Sequence, residues 1–154
     1  MKTNPAPVER IVGIDYGTVR IGLAIGDTEL GIAGPLAVYE RRTMVEDAKF
    51  FQRLAENESI SRFVVGLPIH LSGDESEKSR EAREFGNWLA ETTGLPVEYY
   101  DERFTTSQSE DVLLAAELTK KKRKARRDMV AAQMILAGYL DSGGHRTDPG
   151  GIDD

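Results

Sequence analysis

Ile11-Val-Gly-Ile-Asp-Tyr-Gly-Thr-Val-Arg-Ile-Gly-Leu-Ala-Ile-Gly26 decides the fold. An apolar strand carries one carboxylate, Asp15, at its end, turns through Gly17-Thr18 and runs back as a second apolar strand. So short a connection predicts an antiparallel pair over 10–16 and 20–26. Val12 and Ile14 point to one side of the first strand and Asp15 to the other, because side chains alternate. A carboxylate inside a sheet is costly unless something pairs with it. A divalent cation is the usual partner, which points to metal-dependent phosphate chemistry. The alternative is an Asx-type turn, in which Asp15 accepts hydrogen bonds from the N–H groups of Gly17 and Thr18. The small residues Gly13 and Gly17 are expected to let a ligand approach the backbone.

Beyond the hairpin, a third strand is expected over 33–39, after the Gly31 and Gly34-Pro35 break. From Thr43 the period becomes helical: Met44, Ala48, Phe51, Leu54 and Ala55 share a face, and Thr43 with Glu46 fits a capping box. Phe63-Val-Val-Gly-Leu67 is a short apolar run that fits a buried strand. A helix follows around 75–93 with Ala82, Phe85, Trp88 and Leu89 as its stripe, stopped by Gly94 and Pro96. Val97-Glu-Tyr-Tyr100 reads as a fifth strand ending at Asp101-Glu102, and two helices follow at about 106–118 and 128–141. Helical crossovers imply parallel pairing. The predicted architecture is α/β: a five-stranded mixed sheet, residues 10–16 at its centre, with helices on both faces. Reactive groups then gather at the ends of parallel strands, which would bring Asp15 and Glu102 together.

Composition sets the bounds. The chain has 154 residues, 40% hydrophobic and 30% charged, which suits one soluble globular domain over 9–141. Residues 1–8 and the Gly- and Asp-rich segment 142–154 read as disordered tails. No apolar run is long enough to span a bilayer, and no secretory signal is visible. There are no cysteines and two histidines. Thiolate and histidine-rich metal sites are thereby excluded, and a cytoplasmic location is expected. The net charge of -6 opposes general nucleic-acid binding, yet Lys120, Lys121, Lys122, Arg123, Lys124, Arg126 and Arg127 form a local basic run. It is either a phosphate-binding patch or a solvated helix flank.

Further candidate acids flank that run. Asp101 and Glu102 are neighbours, so on extended chain only one faces the site. Asp128 stands before a nearly all-apolar helix that only Gln133 and Gly138 interrupt, which predicts a buried helix with Asp128 in its first turn. The helix dipole alone would explain an Asp there. Ser107-x-x-Glu110 fits a capping box, and His70 reads as a loop histidine.

Gly13-Ile-Asp15-Tyr-Gly17-Thr-Val-Arg20-Ile-Gly22, Val65-Gly-Leu-Pro68, Asp101-Glu-Arg-Phe-Thr-Thr106 and the basic run leading into Asp128-Met-Val-Ala-Ala132 together resemble the YqgF (RuvX) family. The resemblance spans about 9–141. The chain departs from the usual pattern in Ile69-His-Leu-Ser72 and in Met129-Val130. The family implies a ribonuclease H-like fold, similar to the resolvase RuvC. It implies a nuclease maturing the 5′ end of pre-16S rRNA, or a Holliday junction resolvase acting on branched DNA. Carried over, Asp15, Glu102 and Asp128 become the catalytic and metal-binding acids. They would hold two Mg²⁺ or Mn²⁺ ions roughly 3.5–4 Å apart, with Asp15 bridging. Arg20, Arg103, Lys121, Lys122, Arg123 and Arg126 become the nucleic-acid-binding residues. The expected partner is pre-rRNA or branched DNA, bound by a monomer or homodimer, with no membrane partner. Two other readings remain open. Actin-like ATPases and sugar kinases also begin Gly-Ile-Asp-x-Gly-Thr, but need a second lobe for which this chain is too short. A nonenzymatic RNA-binding assembly factor could keep the fold without cleaving.

Overall fold

The structure, a computed structural model, describes residues 7–69, 76–102 and 120–142. The expected helix at 106–118, the capping box at Ser107, His70 and Arg103 lie outside those residues.

Five strands form one sheet: β1 (Arg10–Asp15), β2 (Arg20–Asp27), β3 (Ala33–Glu40), β4 (Arg62–Leu67) and β5 (Val97–Asp101). Their order is β3-β2-β1-β4-β5, with β1 central. β2 is antiparallel to both β1 and β3, whereas β4 is parallel to β1 and β5 to β4. Pro35 lacks an N–H for a ladder, and it sits on the edge strand β3, where that costs least.

Three helices are described: α1 (Met44–Asn57), α2 (Glu77–Thr93) and α3 (Lys120–Asp141). Thr43 caps α1 in a reciprocal box with Glu46, and Gly94 ends α2 at φ 74°, both as the local sequence predicts. Alternation along the strands feeds two cores. Val12, Ile14, Leu23, Phe63 and Val65 pack against Phe51 of α1 and Phe85 and Leu89 of α2. Ile11, Ala24, Val64 and Tyr100 face Ala132, Ile135, Leu136 and Tyr139 of α3. The helices thus cover both faces of the sheet.

Three expectations about local structure change. First, the chain is helical from Lys120, so the basic run is part of α3 rather than a segment before it. Asp128 stands eight residues in from Lys120, more than two turns, so a first-turn dipole does not account for it. Second, α3 is not buried all round: Ala132, Ile135, Leu136 and Tyr139 are buried, while Met129, Val130, Met134 and Leu140 are only half-buried. Third, Gly13 serves the helix rather than a ligand. A Cβ there would stand 2.6 Å from Leu136 Cβ and 3.0 Å from the Ala132 carbonyl oxygen. Gly17 is needed by its own turn, where a Cβ would meet the Arg20 carbonyl oxygen at 2.2 Å, but it also borders the open space beyond Asp15, as expected.

Gly22 is the tightest of these seats. A Cβ at that position would lie 2.1 Å from the Asp128 carbonyl oxygen, which is helix backbone and cannot rotate aside. Gly22→Ala must therefore push α3 off β2. The expected cost is about 1–3 kcal/mol of overpacking, a fall in Tm of several degrees by calorimetry. An unchanged Tm would mean that α3 is not seated this closely.

Candidate active site

The parallel strands β1, β4 and β5 end on one edge of the sheet, and β2 begins there. At that edge a cleft of about 620 Å³ opens between α3 on one face and α2 on the other. Asp15, Glu102 and Asp128 all line it, although they are far apart in sequence.

Glycines make their convergence possible. Asp15 pairs with Gly22 across the β1–β2 ladder, and Gly22 leaves the space that the backbone and Cβ of Asp128 fill. On the other side, Ile14 pairs with Val65, so Gly66 follows beside Asp15. A Cβ on Gly66 would stand 2.7 Å from Glu102 Oε2. Each strand flanking Asp15 thus presents a glycine where a second acid enters.

Of the adjacent acids, Glu102 lines the cleft and Asp101 does not. Asp101 is fully buried at the end of β5, opposite Leu67. This is the division that alternation predicts.

The electrostatics of the cleft are unfavourable to its own charges. Burial, then the nearby charge of Asp128, pushes the Asp15 carboxyl from 3.8 up to about 6. Burial, then the charges of Asp15 and Asp101, pushes Glu102 up to about 7. Lys78 opposes both shifts. Among the described residues, no turn N–H group is bonded to the Asp15 carboxylate, so the Asx-turn explanation is not realised there.

Asp128 has a protein partner. Arg20 Nε donates to Asp128 Oδ2 at 2.9 Å, with both side chains about a quarter exposed. Arg20 therefore lines the cleft, as its sequence position suggests, but its charge is directed at an acid of the site. Of the basic run, Arg126 and Arg127 are exposed on α3.

Several residues of the site and its surroundings carry no motif that singles them out in the sequence. Lys78 and Glu81, on α2, complete the cleft wall. The available signal was topological: α2 follows β4, parallel to β1, so its N-terminus must start at the edge where Asp15 lies. Asp47 is a second such residue. Almost fully buried on α1, it accepts hydrogen bonds from Tyr39 Oη at 2.5 Å, the Arg42 N–H at 2.9 Å and Arg41 Nε at 3.3 Å. Arg41 in turn donates to Tyr16 Oη at 2.8 Å, bracing the residue next to Asp15. Burial alone would raise the Asp47 carboxyl, but these bonds hold it below its ordinary value.

Known proteins resemble this chain over most of its length. The family profile described as "RuvX: Holliday junction resolvase" matches residues 9–142. A Rhodopirellula baltica protein named "Putative pre-16S rRNA nuclease" is 49% identical over 133 residues, 86% of this chain and 77% of that protein. A Koribacter versatilis protein of the same name is 40% identical over 145 residues, 94% of each chain. Among solved structures, T. thermophilus RuvC in complex with Holliday junction substrate superposes with a TM-score of 0.57 at 17% identity, covering 90% of this chain and 98% of that one. Fowlpox virus resolvase bound to Holliday junction DNA gives 0.54 at 15% identity, with 86% and 97% covered. At such identities these structures establish a shared fold, the ribonuclease H-like fold of RuvC.

Proposed function

The chain belongs to the RuvX family, and from that membership and its acid-lined cleft we propose a nuclease that hydrolyses phosphodiester bonds. The observation that carries the reading is the convergence of Asp15, Glu102 and Asp128 on one cleft at the sheet edge. The proposed substrate is the 5′ region of pre-16S rRNA, supported by the names of relatives 37–49% identical to the chain. The family description supports a second substrate, the four-way DNA junction.

Carboxylate oxygens are the hard donors that Mg²⁺ and Mn²⁺ take, so the donor set fits a divalent cation. Two crowded acids whose protons are held too tightly also gain from a cation beside them. Asp15, Glu102 and Asp128 would hold the ions, which would supply an activated water and neutralise charge on the leaving oxygen. Among the described residues, no three acids or histidines stand within reach of a single ion.

The protein's own part is positional. Asp15 is fixed by the central strand, Asp128 by a helix seated on glycine, and Glu102 by the end of β5. Rigid elements hold reacting groups more closely than loops do. The basic run would bind the backbone of the nucleic acid without reading its sequence. Replacing Lys121, Lys122, Arg123 and Arg126 by Gln is expected to weaken binding about equally across sequences. The slope of log affinity against log salt should become shallower by roughly 0.7–0.9 for each phosphate no longer neutralised. Unchanged affinity and slope would make the run a solvated helix surface.

The direct test incubates purified protein with pre-16S rRNA fragments and with four-way DNA junctions, each with Mg²⁺ or Mn²⁺. Cleavage of the rRNA near its 5′ end is expected. Junction cleavage alone would move the substrate to DNA, and RNA binding without cleavage of either would favour the nonenzymatic assembly factor.

A further inference from the structure

We infer that Lys78, in the first turn of α2, is a substrate-positioning residue that receives a phosphate of the nucleic acid opposite the three acids, an inference that rests on the nuclease reading. A polyanion entering this cleft meets Asp15, Glu102, Asp128 and Glu81. Two described cations line the same walls, Arg20 and Lys78. They differ in their commitments. Arg20 is paired with Asp128 at 2.9 Å. Lys78 is exposed and forms no ion pair among the described residues.

Its placement is built rather than incidental. Ser76 caps α2 by accepting from the Ser79 N–H at 3.0 Å, while its own hydroxyl donates to the Pro68 carbonyl oxygen at 2.7 Å. Those bonds tie the first turn of α2 to the segment leaving β4, one of the parallel strands that end at the cleft. Ser79 is fully buried beneath the turn, and Ala82, one turn further on, packs into the core. With that inner face anchored, Lys78 and Glu81 are left for the cleft. An ammonium on a flexible four-carbon stem suits a phosphate, to which it offers a compact point charge. Lys78 also stands on the α2 side of the cleft, away from the basic run on α3.

The test uses the full chain with Asp15→Asn, so that binding is read without cleavage, and a short fluorescein-labelled single-stranded RNA as probe. Adding Lys78→Gln is expected to reduce affinity several-fold at low salt and to flatten the salt slope by roughly 0.7, the share of one single-strand phosphate. Lys78→Arg in the same background should restore both. Thermal unfolding of the Lys78→Gln protein should match its parent, because the side chain is exposed. Parent affinity and slope in Lys78→Gln would overturn the assignment to Lys78 and leave the nuclease reading intact. A loss that Arg fails to restore would also overturn it, since charge would not be the cause. Failure of the Asp15→Asn parent to bind RNA at any salt would overturn the RNA nuclease reading and this inference together.

Discussion

Replacing Asp15 by Asn is expected to abolish phosphodiester cleavage while making the metal-free protein more stable. The change keeps the shape of the side chain and removes the charge that would hold a cation. The stability gain follows from the direction of its pKa shift. Burial, then Asp128, raises the folded carboxyl to about 6, above its ordinary 3.8. A folded state that holds its proton more tightly than the unfolded chain is favoured at low pH and penalised as pH rises. The penalty begins near the unfolded value of 3.8 and is complete once the pH has passed through the folded value of about 6. A gap of that size corresponds to about 2–3 kcal/mol, or several degrees in Tm. Wild type and variant should therefore converge in Tm at about pH 4 and separate at about pH 8, the variant higher. Added Mg²⁺ or Mn²⁺ should stabilise the wild type more than the variant, because a ligand that binds only the folded state raises its stability. Wild-type rates from equally folded Asp15→Asn would sink the assignment of this acid.

Glu102→Gln is expected to reduce cleavage to background, and Asp101→Asn to leave activity within about tenfold, about 1.4 kcal/mol of barrier. The two acids are adjacent, yet only Glu102 opens onto the cleft. Burial, then Asp15 and Asp101, pushes its carboxyl up to about 7. Removing the Asp101 charge relieves part of that pressure without removing a cleft carboxylate. Asp101→Asn should instead act on stability, since its side chain is fully buried and partnered. Parallel cleavage and unfolding measurements on the two variants separate the effects. Retained activity in Glu102→Gln with loss in a well-folded Asp101→Asn would shift the site by one residue.

Much of this molecule is legible in short stretches of chain. Period-two alternation around Asp15 gives the β1–β2 hairpin and the face on which the acid lies, because successive side chains of a strand must oppose one another. The Thr43 and Glu46 box and the left-handed Gly94 mark helix ends, since each satisfies backbone groups within a few residues. The division between Asp101 and Glu102 has the same local origin.

Other features depend on which distant segments meet. Gly13 and Gly22 look like room for a ligand or an ordinary strand residue until Leu136 and Asp128 of α3 occupy the space beside them. Arg20 looks like a free phosphate-binding cation until it meets Asp128, 108 residues away. Asp47 lies on a helix and gives no sign that Tyr39, Arg41 and Arg42 will surround it. Lys78 becomes a cleft residue only because β4 is parallel to β1, which starts α2 at the same sheet edge as Asp15. Periodicity and capping are set by neighbours in sequence, and the sequence by itself determined the elements, their facing sides and the candidate acids. Which charge pairs with which, and which glycine admits which backbone, follows from packing between remote segments, and only the tertiary structure decided it.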